Sequence, residues 1–448
     1  MTTTTQIHQL PASEIAAAVA KGSLTPTEVV EAFLARIDAV EDRVRAWCYL
    51  DRDHVRAQAH TLTEEARAGL LRGPMHGVPV GIKDEFHIKG LPTYMKDRND
   101  PPEPEDATPV ARLRAAGAII MGKTTMPYDR QPPPTRNPWN LEHTAGGTSS
   151  GSGAAVAARM VPIALGEQTA GSNLRPAAYC GLAGLKPTFG RISRFGCYPF
   201  SYSHDHPGLI GQNCEDIALA LSVMAGSDER DPSSLPDPPP PPRLDLAGLM
   251  PPRIGLVTNI FPERAEPVMR QALERSASRL RDVGAMVQDV QLPDEFGIVW
   301  QVHQVVGGPE STTFHAKRRA DRGEAFKLVE PRRVSALIPA TYYLHAQRVR
   351  RWLHDRMRRF FADCEVAALL MPAAPGAAPK GLSSTGNASL LVPWSCLGFP
   401  ALTINGGLSP EGLPLGLQFV GAPGSDYPLL HVGAWCENVL GRLPGPEI

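Results

Sequence analysis

An α/β fold is what this sequence predicts, and three observations predict it. Short continuous apolar runs at Gly77–Ile82, Ala367–Met371, Ala401–Ile404 and Leu415–Val420 have the length and content of buried strands. Between such runs lie segments whose apolar residues recur at helical spacing. One stretch carries the whole β-α-β pattern: Ile254–Val257, a helix over Pro267–Val283, then Met286–Val290. No internal repeat is evident.

Two helices open the chain. Ser13 stands where it would cap the first, which is expected to stop near Gly22. The second begins Thr25-Pro26-Thr27-Glu28, a capping threonine, proline at the first helical position and glutamate three residues after the cap. Val29, Val30, Phe33, Leu34, Ile37 and Val40 follow on one face. The strand Gly77–Ile82 then delivers Lys83-Asp84 at its end, and a lysine there is unusual because lysine is rarely buried unless paired. A helix over Pro109–Ala116 and a strand over Ala118–Met121 form the next unit. Met126–Trp139 holds Pro127, Pro132, Pro133, Pro134 and Pro138 and is expected to be irregular.

The centre of the chain is small-residue and hydroxyl-rich. Gly146-Gly147-Thr148-Ser149-Ser150-Gly151-Ser152-Gly153 leads into a tight helix near Ala154–Met160 and a strand over Pro162–Leu165. A second such loop, Gly166-Glu167-Gln168-Thr169-Ala170-Gly171-Ser172, runs on into Arg175. Further along, Pro238–Pro242 lies within a Pro/Asp/Ser stretch that begins at Asp228. It is a stiff polyproline-like segment, either a domain boundary or a surface crossover. Residues 295–345, with Phe296, Trp300, Phe314, Tyr342 and Tyr343, are expected to be irregular and to line a pocket. A basic helix follows, with Arg348, Arg350, Arg351, Arg356, Arg358 and Arg359 read as a solvated face, over Trp352, Met357 and Phe361 buried, in preference to a polyanion site.

Composition narrows the class. The chain has 448 residues, and its 45 basic and 46 acidic residues leave a net charge of −1, which offers no electrostatic footing for nucleic acid. Seven scattered cysteines with no CxxC pattern read as reduced thiols of a cytoplasmic protein. Met1–Thr5 lacks the basic and apolar regions of a secretory leader, and nowhere do 18 apolar residues run together, so neither export nor a membrane span is expected.

Three groups bear chemistry: the strand-end Lys83, and a hydroxyl in each glycine loop, Thr148 and Ser172. A serine is a poor nucleophile until a base takes its proton. Lysine can be that base only when burial lowers its pKa enough for a neutral amine near pH 7. A hydroxyl between them would relay the proton. Backbone N–H groups of Thr169, Ala170, Gly171 and Ser172, if convergent, would hold the oxyanion of a tetrahedral intermediate. Each such donor is worth about 3 kcal/mol of barrier.

Gly77-Val78-Pro79-Val80-Gly81-Ile82-Lys83-Asp84, Gly146–Ser152 and Gln168–Ala177, in this order and spacing, resemble the amidase signature family. The likeness continues through Gly184-Leu185-Lys186-Pro187-Thr188, Asp205-His206 and Gly412–Gln418, and it thins between about 228 and 360. What it implies for the fold is one α/β domain over 1–448, built on a large mixed, twisted sheet with helices on both faces. A helical lead-in (1–70), a catalytic core (71–225) and a second half (226–448) that closes the sheet and shapes the pocket would make it up. What it implies for chemistry is hydrolysis of amides and related C–N acyl bonds by a Ser–cis-Ser–Lys triad, with no cofactor and no metal. Carried over by position, Ser172 is the nucleophile, Lys83 the base, Thr148 the relay and Thr169–Ser172 the oxyanion hole, with Gly147, Ser149, Gln168 and Arg175 in support.

The chain departs from the family pattern in four places. Thr148 stands where the family has its relay serine, keeping the hydroxyl but adding a methyl at a position where the resembling enzymes hold a cis peptide; Ser149 is the substitute relay. Ala170 replaces a common glycine and keeps its N–H. Gln168, where many relatives carry Asp, resembles the subgroup reading Gln-Thr-x-Gly-Ser-x-x-Arg-Pro and points away from the glutaminase subunit of tRNA-dependent amidotransferases. The loop from Met126 to Thr135 is shorter than in most relatives, which implies a more open site suited to aryl amides, anilides or carbamates, as in a urethanase.

The expected protein is thus a cytoplasmic amidase, monomeric or homodimeric, acting on a small-molecule amide. The alternatives are a pseudoenzyme on the same fold, its relay weakened by Thr148, and an ammonia-supplying subunit of a larger complex. Other readings fit less well. His204-Asp205-His206 has no third ligand at useful spacing for a metal. The glycine loops lack both the Lys-Ser/Thr ending of a phosphate loop and the GxGxxG of a dinucleotide site. Cys180 reads as a buried packing thiol.

Overall fold

Residues 4–93, 101–128, 133–321 and 332–448 are described by the structure, a computed structural model. At its centre lies an eleven-stranded sheet whose strands run, in spatial order, Trp47–Leu50, Ile119–Thr124, Pro79–Lys83, Ile163–Gln168, His206–Gly211, Ala183–Lys186, Ala401–Leu408, Pro414–Val420, Ala368–Pro372, Arg253–Val257 and Met286–Val290. The sheet is mixed. Pro79–Lys83 is parallel to both of its neighbours, whereas Ile163–Gln168 and His206–Gly211 are antiparallel. Arg253–Val257 is parallel to the strands on either side, and Ala401–Leu408 pairs antiparallel with Ala183–Lys186, joining the earlier strands to the later ones.

Successive residues of a strand face opposite sides of a sheet, and the packing here follows that rule. Ala368 and Leu370 enter one apolar core while Leu369 and Met371 enter another; Leu402 and Phe419 join the first, Ala401 and Val420 the second. Helices therefore cover both faces, which is why these strands read as unbroken apolar runs rather than alternating ones.

The helix Pro26–Val44 starts as its sequence predicts: the Thr25 side chain accepts the Glu28 N–H and the Glu28 carboxylate accepts that of Thr25. The first helix, Ala12–Ala20, does not use Ser13 as its cap. Pro11 holds that position, and the Ser13 N–H donates instead to Asp216 Oδ1 at 2.9 Å. Within the proline-rich stretch, Arg136–Asn137 pairs with Asn140–Thr144, because the prolines stop short of Arg136 and Pro138 sits in the turn. The Asp228–Pro242 segment is a surface crossover between strands of one sheet. Asp228 accepts the hydroxyls of Thr108 and Ser193, and Asp237 pairs with Arg191.

The described residues of 295–345 are not irregular. A helix spans Val299–Asp321, a short one Arg332–Ala336, and a long one Ala340–Cys364. Gly307, Gly308 and Pro309 hide the helical period of the first, which packs into a core through Val299, Val302 and Val306 and borders a cavity through His303 and Gln304. In the long helix the buried stripe is Ala346, Leu353, Met357, Phe360 and Phe361. Trp352, expected inside, is 46% exposed, one position out of phase with Leu353. Arg350 is partly buried and donates to the carbonyls of Cys396 and Ser203, whereas Arg348, Arg351, Arg358 and Arg359 are exposed. Among the described residues no helix is long and apolar enough to cross a membrane.

Candidate active site

Parallel pairing of Pro79–Lys83 with Ile163–Gln168, in the register Ile82 to Leu165, brings Lys83 and the second glycine loop to the same edge of the sheet. Lys83 is fully buried, and its Nζ donates to Thr148 Oγ1 at 2.8 Å. The same Nζ pairs with Glu85, in direct contact, and lies 3.4 Å from Glu167 Oε2. This differs from the expectation of an amine whose pKa burial lowers. Burial pulls the lysine pKa down, but the Glu85 and Glu167 carboxylates outweigh it and leave it raised. Burial also pushes both carboxyls up against the pull of Lys83, Glu85 well above the usual range. Lys83 is therefore one end of a buried acid–base pair.

The Gly147–Thr148 peptide bond is cis. The buried Arg175 grips the Gly147 carbonyl with Nε at 3.1 Å and Nη2 at 2.6 Å, and it donates as well to the Gly386 carbonyl and Thr385 Oγ1. Burial lowers its pKa to about 10. The Ser149 N–H donates to the Ser172 carbonyl at 3.0 Å, tying the two loops together. Its hydroxyl is engaged with the backbone of Glu167, so Ser149 is not placed beside Lys83 as a substitute relay. Gly166 is required where the loops touch: a Cβ there would lie 2.3 Å from Asn173 Oδ1 and 2.8 Å from Ser149 Oγ.

Gln168 shapes the second loop. Its Oε1 accepts the N–H groups of Asn173 at 3.1 Å and Leu174 at 2.9 Å, and its Nε2 donates to Ser395 Oγ at 2.9 Å. Ser395 in turn donates to the Ala170 carbonyl at 2.7 Å, and His303 Nε2 to the Thr169 carbonyl at 3.2 Å. In a trans peptide the C=O and the following N–H point opposite ways. Pinning those two carbonyls thereby aims the Ala170 and Gly171 N–H groups away from Ser395 and His303. Among the described residues the N–H groups of Thr169, Ala170, Gly171 and Ser172 have no protein acceptor, so four consecutive donors remain available to an anionic oxygen.

Thr148, Ser172, Thr169 and Glu167 line a cavity of about 630 Å³, walled by Phe200, His303, Val305 and Ile338, which is the size of a small-molecule site. Phe200 lies on the loop before His206–Gly211; the rest of the wall comes from the helix Val299–Asp321 and the segment after 332. The short loop expected to open the site falls partly on residues 129–132, which lie outside the described residues; its described remainder does not line the cavity. Cys180 is buried and its thiol donates to the Ala145 carbonyl, and burial raises its pKa.

Sequence reading missed Glu85, Glu167 and the role of Asp205. Asp205 accepts the N–H groups of Phe200 at 2.7 Å and Ser201 at 2.8 Å, and burial with the nearby Glu167 raises its pKa to about 8. The available signal was the run of charges that closes an apolar strand, Lys83-Asp84-Glu85, and a lone acid in the small, apolar strand end Leu165-Gly166-Glu167. Among the described residues no cluster of three or more His, Cys, Asp or Glu is arranged to hold a metal.

Residues 28–430 match the family described as Amidase. The chain is 34% identical, over 96% of both sequences, to a glutamyl-tRNA(Gln) amidotransferase subunit from Chloroflexus aurantiacus. Among solved structures it is similar to a chain of a vestigial protein complex tied to the origins of an s-triazine catabolic enzyme, with TM-score 0.87, 31% identity and coverage of 97% and 100%. It is also similar to 6-aminohexanoate cyclic dimer hydrolase complexed with substrate, with TM-score 0.82, 26% identity and 97% of each chain covered.

Proposed function

This chain belongs to the amidase family, and from that premise we propose that it hydrolyses a C–N acyl bond of a small molecule through an acyl-enzyme on Ser172. The observation that carries the reading is the 2.8 Å bond from Lys83 Nζ to Thr148 Oγ1 at the base of the cavity that Thr148 and Ser172 both line. Lys83 as its amine takes the Thr148 hydroxyl proton while Thr148 takes that of Ser172. The Ser172 oxygen then attacks the acyl carbon, and the carbonyl electrons move onto oxygen toward the N–H groups of Thr169–Ser172. The proton returns by the same path to the leaving amine, and water, activated in the same way, releases the acid. The apolar wall of Phe200, Val305 and Ile338 favours bulky or aryl acyl or amine groups, including carbamates. Turnover measured across primary amides, anilides, carbamates and ureas tests the substrate class. Fast hydrolysis confined to small aliphatic amides would rule out the aryl and carbamate preference.

The 34% identity to an amidotransferase component supports a second reading, an ammonia-releasing subunit of a larger assembly. Co-purification with a stable partner chain would favour it. Turnover of free amides by the isolated chain favours the first reading. A fluorophosphonate that labels wild type and not Ser172→Ala separates either of them from a pseudoenzyme.

A further inference from the structure

Glu85 has no part in the triad, yet it is fully buried and in contact with the base. Apart from Lys83 Nζ, neither of its oxygens has a hydrogen-bond partner among the described residues. A buried carboxylate with a single donor is poorly stabilised as an anion. The contrast with Asp205 is direct, since two backbone N–H groups hold that carboxyl. The groups facing Glu85 are Lys83 at the end of the strand that leads into it, Glu167 at the end of the neighbouring strand, and Cys197 and Asp205 on the connection that leads into His206–Gly211. Among them Lys83 alone has a proton to give that would leave behind a useful base. The acids beyond it are already supplied: Thr169 Oγ1 lies 3.1 Å from Glu167 Oε1 and 2.8 Å from Asp205 Oδ1. One hydroxyl hydrogen can serve only one of these contacts, so the other is a hydrogen bond only if one of the two carboxyls carries a proton.

We propose that Glu85 is a positioning residue that stores the lysine proton, so that Lys83 faces Thr148 as an amine without losing a proton to solvent. This rests on the hydrolase reading above. In the step, the ammonium N–H bond of Lys83 breaks and a Glu85 O–H bond forms, converting ammonium and carboxylate into amine and carboxylic acid with the same total charge. The amine then accepts the proton that passes from Ser172 through Thr148, and it returns that proton to the leaving nitrogen. Because the resting and reactive forms hold the same number of protons, reactivity needs no deprotonation to the medium.

The test is the pH profile of Ser172 labelling by a fluorophosphonate, in wild type and in Glu85→Gln. The wild-type rate should be level through the neutral range and fall only in acid, where the pair takes up a second proton. The variant should label more slowly near neutrality, with a rate that climbs about tenfold per pH unit until it approaches wild type. Parallel profiles with a uniform loss would mean that Glu85 only supports the structure, and a variant faster at every pH would mean that it only restrains the ammonium; either overturns the proposal. If Glu85→Gln does not fold, the wild-type profile decides alone, since a steady climb through the neutral range contradicts proton storage. Absence of wild-type labelling sinks the hydrolase reading itself, whereas labelling with a climbing profile sinks only the role of Glu85.

Discussion

Lys83 Nζ donates to Thr148 Oγ1 at 2.8 Å across 65 residues of sequence, in a fully buried position where each donor needs an acceptor. The family's relay serine is replaced here by a threonine whose hydroxyl still meets the lysine. The departure that made a pseudoenzyme conceivable leaves that contact intact.

Thr148→Val keeps the shape and removes the hydroxyl. We expect kcat/KM to fall about 10²–10⁴-fold, while Thr148→Ser stays within about tenfold of wild type. Equal activity of the valine variant on an amide substrate would take Thr148 out of the proton path.

Arg175→Met strands the carbonyls of Gly147 and Gly386 without their donors. Unfolding in urea should show a loss of about 3 kcal/mol. Arg175→Lys should recover only part of it, because an ammonium cannot reproduce the forked contact with Gly147.

Ser395→Ala releases the Ala170 carbonyl and the Gln168 amide. In the proposed mechanism those bonds aim the donors to the oxyanion, so kcat should drop roughly tenfold with little change in KM, alongside a stability loss of about 1 kcal/mol. A rise in KM at constant kcat would show that the loop only shapes the cavity.

Glu437 is buried away from the cavity, accepts the Cys214 N–H at 3.0 Å, and has its pKa raised to about 7 by burial against that bond, with Arg442 lowering it and Asp216 raising it. A carboxyl whose folded pKa exceeds its unfolded value of about 4.5 favours the native state fully below that value and loses the contribution as pH rises toward 7. Glu437→Gln should therefore gain stability relative to wild type between about pH 5 and pH 8, by on the order of 2–3 kcal/mol, measured by denaturant unfolding at both pH values. A gap that stays constant with pH would mean the carboxyl is ionised throughout.

The strands and the two glycine loops were legible because their signals are local: continuous apolar runs, the Thr25–Glu28 capping box, and glycines where loops meet. Lys83 stood out because a lysine closing a buried strand demands a partner. Its partners were less legible: Glu167 reaches the ammonium only through the pairing of two strands distant in sequence, and Glu85 does so by the turn the chain makes directly after the strand. The helix Val299–Asp321 was missed for a related reason. Its apolar stripe, Val299, Val302 and Val306, packs into a core but is short, lying beside the cavity-lining His303 and Gln304 and running into Gly307, Gly308 and Pro309. Trp352 was misplaced because one step along a helix turns a side chain by about 100°, and the two neighbouring apolar residues Trp352 and Leu353 offered no local way to choose between them.

The side-by-side register of Pro79–Lys83 and Ile163–Gln168 has a practical consequence. A slip of one residue between these strands would turn Lys83 toward the opposite side of the sheet and, in the proposed mechanism, leave Ser172 without its base, even in a molecule that remained compact and helical. Covalent capture of Ser172 thus counts correctly threaded molecules, and it can serve as a quality assay for preparations in which spectroscopic signatures of secondary structure would look normal.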